Sequence, residues 1–373
     1  MSGVTHHVFR RGLDVASQHM AKPPGDGNGM KDPREVLPVW GLILLVLTVV
    51  TFAFAISAIG YTYGMVVATL TAVEDPEAEF YMPLETDGDD TKKGNGPVEP
   101  TLLLAKPKPI TRKFRTTIKH LKDRAGCFSR FRGLRPFLVY CFCRDIVVSI
   151  FTSGSQYEPT VCSTLAQVAA EVALAQLGMA WVHIVISEPS SKAWFRRIPG
   201  LRSWAKIFPA ALVASLGSRV TFFVPWMLAS SLALTGNDQL ASDPPVLATL
   251  GVFGLTLALV ILIEVPATVT FFRVAASMLP EEDETIVPFD RTFGGKVTPA
   301  VLGGSGKIGL IDAWKSFNWA SRIRFIMVNV KTAAMQVGVI FMMFVVLAAE
   351  LVVMTGTTSP EKLRDLFGPS TDL

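Results

Sequence analysis

Three charged residues lie in the middle of long apolar segments: Glu171, Arg219 and Glu264. A charge at the centre of a bilayer costs about 2.5–3.5 kcal/mol on insertion scales, so these side chains should face protein or water and not lipid. Carboxylates and a guanidinium in that setting can form a polar site for a solute between helices. They can equally form buried ion pairs that set the register of neighbouring helices. The residues alone leave both interpretations open.

Arg219 and Glu264 stand at comparable distances on either side of a short loop. At 1.5 Å per residue, they should therefore lie at similar depths in neighbouring antiparallel helices. The sequence predicts that they form an ion pair. Five further charges lie within or at the ends of apolar segments: Arg144, Asp145, Arg273, Lys331 and Glu350.

The motifs that support enzymatic chemistry are absent or incomplete. Residues 303–307 read GGSGK, but a phosphate-binding loop needs Gly where Val301 stands and Ser or Thr where Ile308 stands. No serine-hydrolase, zinc-protease or paired Cys/His pattern occurs, and the cysteines form no CxxC pair. We therefore predict no catalytic residues, no metal site and no cofactor. The cysteines are Cys127, Cys141, Cys143 and Cys162.

The elements that must position these charges are membrane helices. Hydrophobic residues make up 50% of the chain and charged residues only 18%, below the roughly 25% of soluble domains. Residues 246–263 carry no charge and extend about 27 Å as a helix, close to the thickness of a bilayer core. We predict an all-α, polytopic integral membrane helix bundle. It should contain about six transmembrane helices in three helix pairs, with amphipathic lead-in helices and a disordered loop.

The chain divides into five parts. Residues 1–37 form a polar N-terminal tail, 38–73 the first membrane span, and 74–134 an acidic-then-basic loop with an amphipathic helix. Residues 135–355 form the membrane helix bundle, and 356–373 a polar C-terminal tail. We expect one long helix in the first span and not a hairpin, because neither half of a hairpin would be long enough to cross.

The remaining predicted spans begin with the shortest, residues 136–151. We include that segment because without it two basic loops would lie on opposite sides of the membrane. The loops that hold most of the Lys and Arg should face the cytosol, or the matrix in a mitochondrion, with both termini opposite. These loops are residues 74–134, 188–206 and 280–323. The other spans are residues 165–187, 207–234, 246–278 and 325–354.

The basic part of the first loop predicts an amphipathic helix, capped by Thr111 and ended by Gly126. Its apolar face carries Phe114, Ile118 and Leu121. This pattern is typical of a helix on an anionic membrane surface, and the alternative is a solvated basic loop. We expect the lipid bilayer and anionic lipid head groups as partners, and no nucleic acid, since no nucleic-acid module accompanies the basic run. The basic residues are Arg112, Lys113, Arg115, Lys119, Lys122 and Arg124.

Three stretches carry a resemblance to a known family. They are residues 6–14 (HHVFRRGLD), 179–189 (MAWVHIVISEP) and 279–295 (LPEEDETIVPFDRTFGG). They resemble a fungal family of multi-span membrane proteins often labelled "ubiquitin carrier protein". The resemblance implies a polytopic membrane architecture. A ubiquitin-conjugating enzyme needs a soluble domain with an active cysteine after His-Pro-Asn, and this chain contains no His-Pro-Asn.

Two functional hypotheses follow. The first is a non-enzymatic membrane scaffold or adaptor with a basic membrane-surface loop, in an endomembrane or a mitochondrial membrane. The alternative is a transporter of a small solute or lipid that uses Glu171, Arg219 and Glu264. A transporter predicts a water-accessible cavity lined by these three residues, whereas a scaffold predicts a closed bundle.

Overall fold

A computed structural model describes residues 39–75, 109–152, 161–235, 246–298 and 303–355. Within those ranges the chain is helical, and its only extended pairing is an isolated bridge between Ser187 and Thr285. The all-α prediction is therefore confirmed for the described part. Both predicted tails and the acidic half of the first loop beyond Asp75 lie outside the described residues.

The helices are numbered α1 to α11 in chain order. Segments of π-helix join α1 to α2 (Gly60–Val67) and α8 to α9 (Val260–Glu264). The helices are α1 Val39–Ile59, α2 Ala68–Val73, α3 Phe114–Ala125, α4 Leu134–Thr152, α5 Val161–Ala173, α6 Ala175–Ile186, α7 Leu201–Thr235, α8 Val246–Leu259, α9 Val265–Ser277, α10 Leu310–Lys315 and α11 Trp319–Thr355.

Four helical stretches among the described residues are long and apolar enough to cross a membrane, and a bent pair makes a fifth if it is one span. The protein is thus a helical membrane protein. The first of these stretches is one unbroken helix, as expected for the first span. They are Trp40–Val73, Leu201–Leu232, Val246–Ser277 and Trp319–Met354, with Cys162–Ala173 and Ala175–Ile186 as the bent pair.

The expected count of about six spans and their grouping in three pairs are not confirmed by the described residues. Residues 136–151 are helical within α4, but every window of that helix long enough to cross a bilayer contains Arg135, Arg144 and Asp145. Residues 165–187 do not form the single straight span that we expected. The helix breaks at Leu174 and turns by 56°, which makes α5 and α6 a broken span or a re-entrant pair.

The described residues divide into two compact units. The smaller one contains residues 39–52 of α1 and residues 341–355 of α11. Inside it, the Thr48 hydroxyl donates a hydrogen bond to the Glu350 carboxylate at 2.5 Å. That bond gives a partner to a carboxylate surrounded by apolar, exposed side chains.

The larger unit covers residues 53–340. Its core is formed mainly by the π-helical segment Gly60–Val67, by α2, α6 and α9, and by the first turns of α7. Val66, Leu70, Met179, Val185 and Val269 are fully buried there. By contrast, α8 buries none of its residues. An apolar helix with no buried face is typical of a surface that contacts lipid.

The loops at one end of the larger unit pack into a single layer, which we call the loop layer (described residues 74–75, 109–133, 187–200, 278–298 and 303–318). Backbone hydrogen bonds join Glu188 N to Glu284 O at 2.8 Å and Asp75 N to Pro288 O at 2.9 Å. Ion pairs join Arg124 to Glu188 and Arg197 to Asp283. The three basic loops therefore lie on one side of the bundle, as the charge distribution predicted.

Glu74 is the central acid of this layer and is 2% exposed. Its carboxylate accepts hydrogen bonds from the Ile110 amide at 2.5 Å and from the amide and hydroxyl of Thr111. Arg324 at the start of α11 lies 3.4 Å from it. The expected helix cap by Thr111 is wrong, because its hydroxyl binds Glu74 and α3 begins only at Phe114.

We expect Glu74→Ala to lower the free energy of unfolding by about 3–5 kcal/mol, because it leaves Arg324 and two buried donors unpaired. Glu282→Ala is the matched control. It removes a carboxylate that pairs with Lys192 but is 77% exposed, so its loss should stay within about 1 kcal/mol. Unfolding of the detergent-solubilised variants measures both. Equal decreases in the free energy of unfolding of the two variants would contradict the role of Glu74 as the central acid of the loop layer.

The two exposed cysteines report the path of the chain through the membrane. Cys127 lies in the loop layer, whereas Cys162 begins α5, beyond the far end of α4. If α5 and α6 together cross the membrane, an impermeant thiol reagent should label Cys127 and Cys162 from opposite compartments. Single-cysteine variants in sealed vesicles give the measurement. Labelling of both from the same side would show that the bent pair is re-entrant.

Candidate functional site

Glu171 and Arg219 meet between α5 and α7. Arg219 Nη2 lies 3.3 Å from Glu171 Oε1, and its Nη1 donates to the Gln167 side-chain oxygen. The hydroxyl of Ser215 donates to the other oxygen of Glu171. Both charged side chains are mostly buried: that of Arg219 is 24% exposed and that of Glu171 16% exposed. The arrangement neutralises two intramembrane charges.

The spacing of these residues explains the contact. Gln167 and Glu171 are four apart on α5, and Ser215 and Arg219 are four apart on α7, so each pair lies on one helix face. In antiparallel helices the later residue of one pair meets the earlier residue of the other. The polar ladder therefore requires antiparallel packing of α5 on α7 in this register.

The predicted ion pair between Arg219 and Glu264 is wrong. The spans are neighbours, since a Cβ built on Gly217 would lie 3.0 Å from Ala267. Arg219 follows Gly217 by two positions, which turns its side chain by about 200° and away from that contact. Glu264 lies in the π-helical segment, and no described residue forms an ion pair with it.

The other intramembrane charges have partners. Arg144 pairs with Asp145 at 2.8 Å, and the Lys331 ammonium lies 5.8 Å from the centre of the Phe114 ring. Arg273, at the end of α9, is 5% exposed and donates to the Ala72 carbonyl at 3.0 Å. This pattern of local neutralisation favours a structural role for most of these charges.

A cavity of about 240 Å³ lies between α4, α6, α7 and α9. Of the three predicted site residues, only Glu171 lines it; Arg219 and Glu264 do not. Sequence reasoning missed its aromatic residues, among them Tyr140 and Trp181, because they come from separate helices and share no motif. This cavity is therefore not the one lined by all three charges that a transporter predicts.

The basic helix α3 ends at Gly126, as predicted, where the backbone φ of 82° suits glycine. Its apolar face is not free for lipid: Leu121 is fully buried, and Phe114, Ile118 and Ala125 pack on the core. The basic side chains all remain exposed. They are Arg112, Lys113, Arg115, Lys119, Lys122 and Arg124.

The loop layer reaches down to the cavity wall through Arg132. Its guanidinium donates to the Ile184 carbonyl, while its own carbonyl accepts the Tyr61 hydroxyl at 2.5 Å. Burial, reinforced by the nearby charge of Arg197, lowers the pKa of Arg132 to about 10. The Trp181 indole donates to the same Tyr61 hydroxyl at 3.1 Å, so the cavity wall and the loop layer share one hydrogen-bonded chain.

No protein-family model, curated protein or solved structure matches the chain.

The ladder between α5 and α7 predicts energetic coupling. Arg219→Gln and Glu171→Gln should each lower the free energy of unfolding by about 1–3 kcal/mol, because each leaves a buried polar group without its partner. The double variant should recover part of the summed loss, with a coupling of about 0.5–3 kcal/mol. Denaturation in mixed micelles gives the values.

Glu264→Gln is the matched control for this cycle, since it makes the same change in the neighbouring span. Its effect should remain within about 0.5 kcal/mol. Coupling of Arg219 to Glu264 and not to Glu171 would contradict the observed pairing.

Proposed function

We propose that the protein is a non-enzymatic membrane scaffold that holds a basic helix against anionic lipid head groups. The observation that carries the proposal is the orientation of α3. Its apolar face is fixed on the protein core, while the basic side chains on it and just before it are exposed, and among them only Arg124 pairs with an acid of the described part of the chain, Glu188. A helix held in this way presents charge on a rigid support. Its contact with lipid is therefore electrostatic and does not depend on insertion of apolar side chains.

The neighbouring helix α4 supports a position close to the membrane. Leu138, Phe142, Ile146 and Ile150 are 42–67% exposed, and their four-residue spacing places them along one side of α4. Such an apolar stripe fits contact with lipid from the first turns of the helix onward. The start of α4 then lies at the membrane boundary.

The turn between α3 and α4 fits the same boundary. Phe128 is 86% exposed there, and the exposed Arg130 and Arg135 follow it in the chain. Aromatic and basic side chains are favoured together at the lipid–water interface. Only eight residues separate Ala125 from Leu134, and the turn at 129–131 packs against α3, so the end of α3 lies close to this interface. Attraction to anionic lipid reaches about 8 Å at physiological salt, which suits this placement.

The intramembrane charges support a scaffold more than a transporter. Glu171 is paired with Arg219, Arg273 is bound to a carbonyl of α2, and Glu350 is bound to Thr48. Charges held by protein groups in this way stabilise helix contacts and do not line a common pathway. Glu264 is not among the residues that line the cavity.

We expect the protein, reconstituted into mixed vesicles, to enrich anionic over neutral spin-labelled lipids at its surface, and salt to reduce the enrichment. Lys119→Gln with Lys122→Gln should lower the affinity for anionic lipid by roughly thirtyfold, since each basic residue near a charged surface contributes about 1 kcal/mol and the two together about 2 kcal/mol. Electron paramagnetic resonance of the motionally restricted lipid fraction measures this selectivity.

Lys296→Gln with Lys315→Gln is the matched control. These lysines are also exposed and the change in net charge is identical, but they lie outside α3. Their replacement should leave the lipid selectivity unchanged. An equal loss in both double variants would assign the effect to net charge and refute a specific role of α3.

A further inference from the structure

The cavity lies where three spans depart from regular α-helix. Met65 belongs to the π-helical segment of the first span, Ala175 follows the break at Leu174, and Thr268 follows the second π-helical segment by one turn. Single π-helical turns inside α-helices occur frequently at functional sites, and interrupted membrane helices commonly surround binding sites. Three such interruptions at one cavity indicate a ligand site.

Aromatic rings form much of the cavity wall. The rings of Phe137 and Trp181 lie 6.0 Å apart, and those of Trp181 and Phe272 lie 6.3 Å apart. The hydrogen bond from Trp181 to Tyr61 fixes the indole in place. The faces of such rings carry negative potential and attract cations. The aromatic residues that line the cavity are Phe137, Tyr140, Trp181, Phe271 and Phe272.

The one charged residue in the cavity wall is an acid. Glu171 lines the cavity, whereas its partner Arg219 does not. Both oxygens of Glu171 already accept hydrogen bonds, from Ser215 and from Arg219. A primary ammonium group carries three donors and requires several acceptors, and beside Glu171 the wall offers only the hydroxyls of Tyr140, Ser215 and Thr268. A cation without N–H donors avoids that requirement and still gains from the rings.

We propose that this cavity binds a quaternary ammonium group. Aromatic cages are the established protein environment for such cations. The volume of about 240 Å³ is enough for a trimethylammonium group with a short polar arm. The same chemistry occurs in a soluble choline-type solute and in the head group of a choline lipid.

The test uses the full-length protein in nanodiscs of phosphatidylglycerol, which contain no choline lipid. Isotope-labelled choline should bind saturably, and unlabelled choline should displace it. The uncharged carbon analogue, in which a tert-butyl group replaces the trimethylammonium group, should displace it at least about tenfold less well, because it lacks the cation–π attraction. Equal displacement by the analogue, or an absence of saturable binding, overturns the proposal without any variant.

Variants locate the site. Phe271→Leu keeps an apolar side chain but removes a ring from the wall, and should weaken choline binding by about fivefold or more. Phe222→Leu makes the same change at an exposed position of α7 outside the cavity and should leave binding unchanged. Equal weakening by both variants overturns the assignment to this cavity. Phe271→Tyr should bind choline as well as the unmodified protein does, since it keeps an aromatic ring at this position.

Two competitors distinguish the sources of the cation. A soluble short-chain phosphatidylcholine should displace choline better than glycerophosphocholine does if the site accepts a lipid head group from the membrane. The reverse order identifies a soluble quaternary ammonium solute. Because the nanodiscs and the variants leave α3 unchanged, failure of this test leaves the lipid selectivity of the basic helix unaffected.

Discussion

The loop layer depends on one buried carboxylate. Glu74 follows the last turn of α2, where the helix dipole places partial negative charge, so an acid at this position is unfavourable by itself. The amides of Ile110 and Thr111 and the guanidinium of Arg324 reverse that balance. Those donors come from the turn before α3 and from the start of α11. Because Glu74 is stable at the end of α2 only with these donors, it fixes the positions of the basic helix α3 and of the start of α11.

The sequence was a good guide wherever one segment determines its own structure. Apolar length predicted the first span and the three longest later ones, and Gly126 predicted the end of α3 because its left-handed backbone excludes most other residues. The same holds for the faces of α3, since helical periodicity alone assigns Leu121 and Lys122 to opposite environments. The periodicity could not tell whether the apolar face meets lipid or protein.

The sequence failed where two segments must be placed against each other. Depth arguments matched Arg219 with Glu264, but depth does not specify the direction of a side chain around the helix axis. The spacing of Gln167 and Glu171 against Ser215 and Arg219 was the available signal for the correct partner. The break at Leu174 has no glycine or proline to mark it, and the aromatic cavity wall is assembled from helices distant in the chain.

The π-helical segment Val260–Glu264 separates two halves of one span that have different surroundings. Before it, α8 buries no residue, whereas α9 beyond it buries most of its residues, including Val269 and Phe272. A π-helical turn holds an additional residue in the same path, and each residue turns an α-helix by about 100°. The segment thus absorbs the additional residue without turning α9 relative to α8. Removing one residue from it would restore regular α-helix and keep the protein-facing side of α9 in place, whereas the same deletion within α9 would turn the side chains beyond it by one residue step.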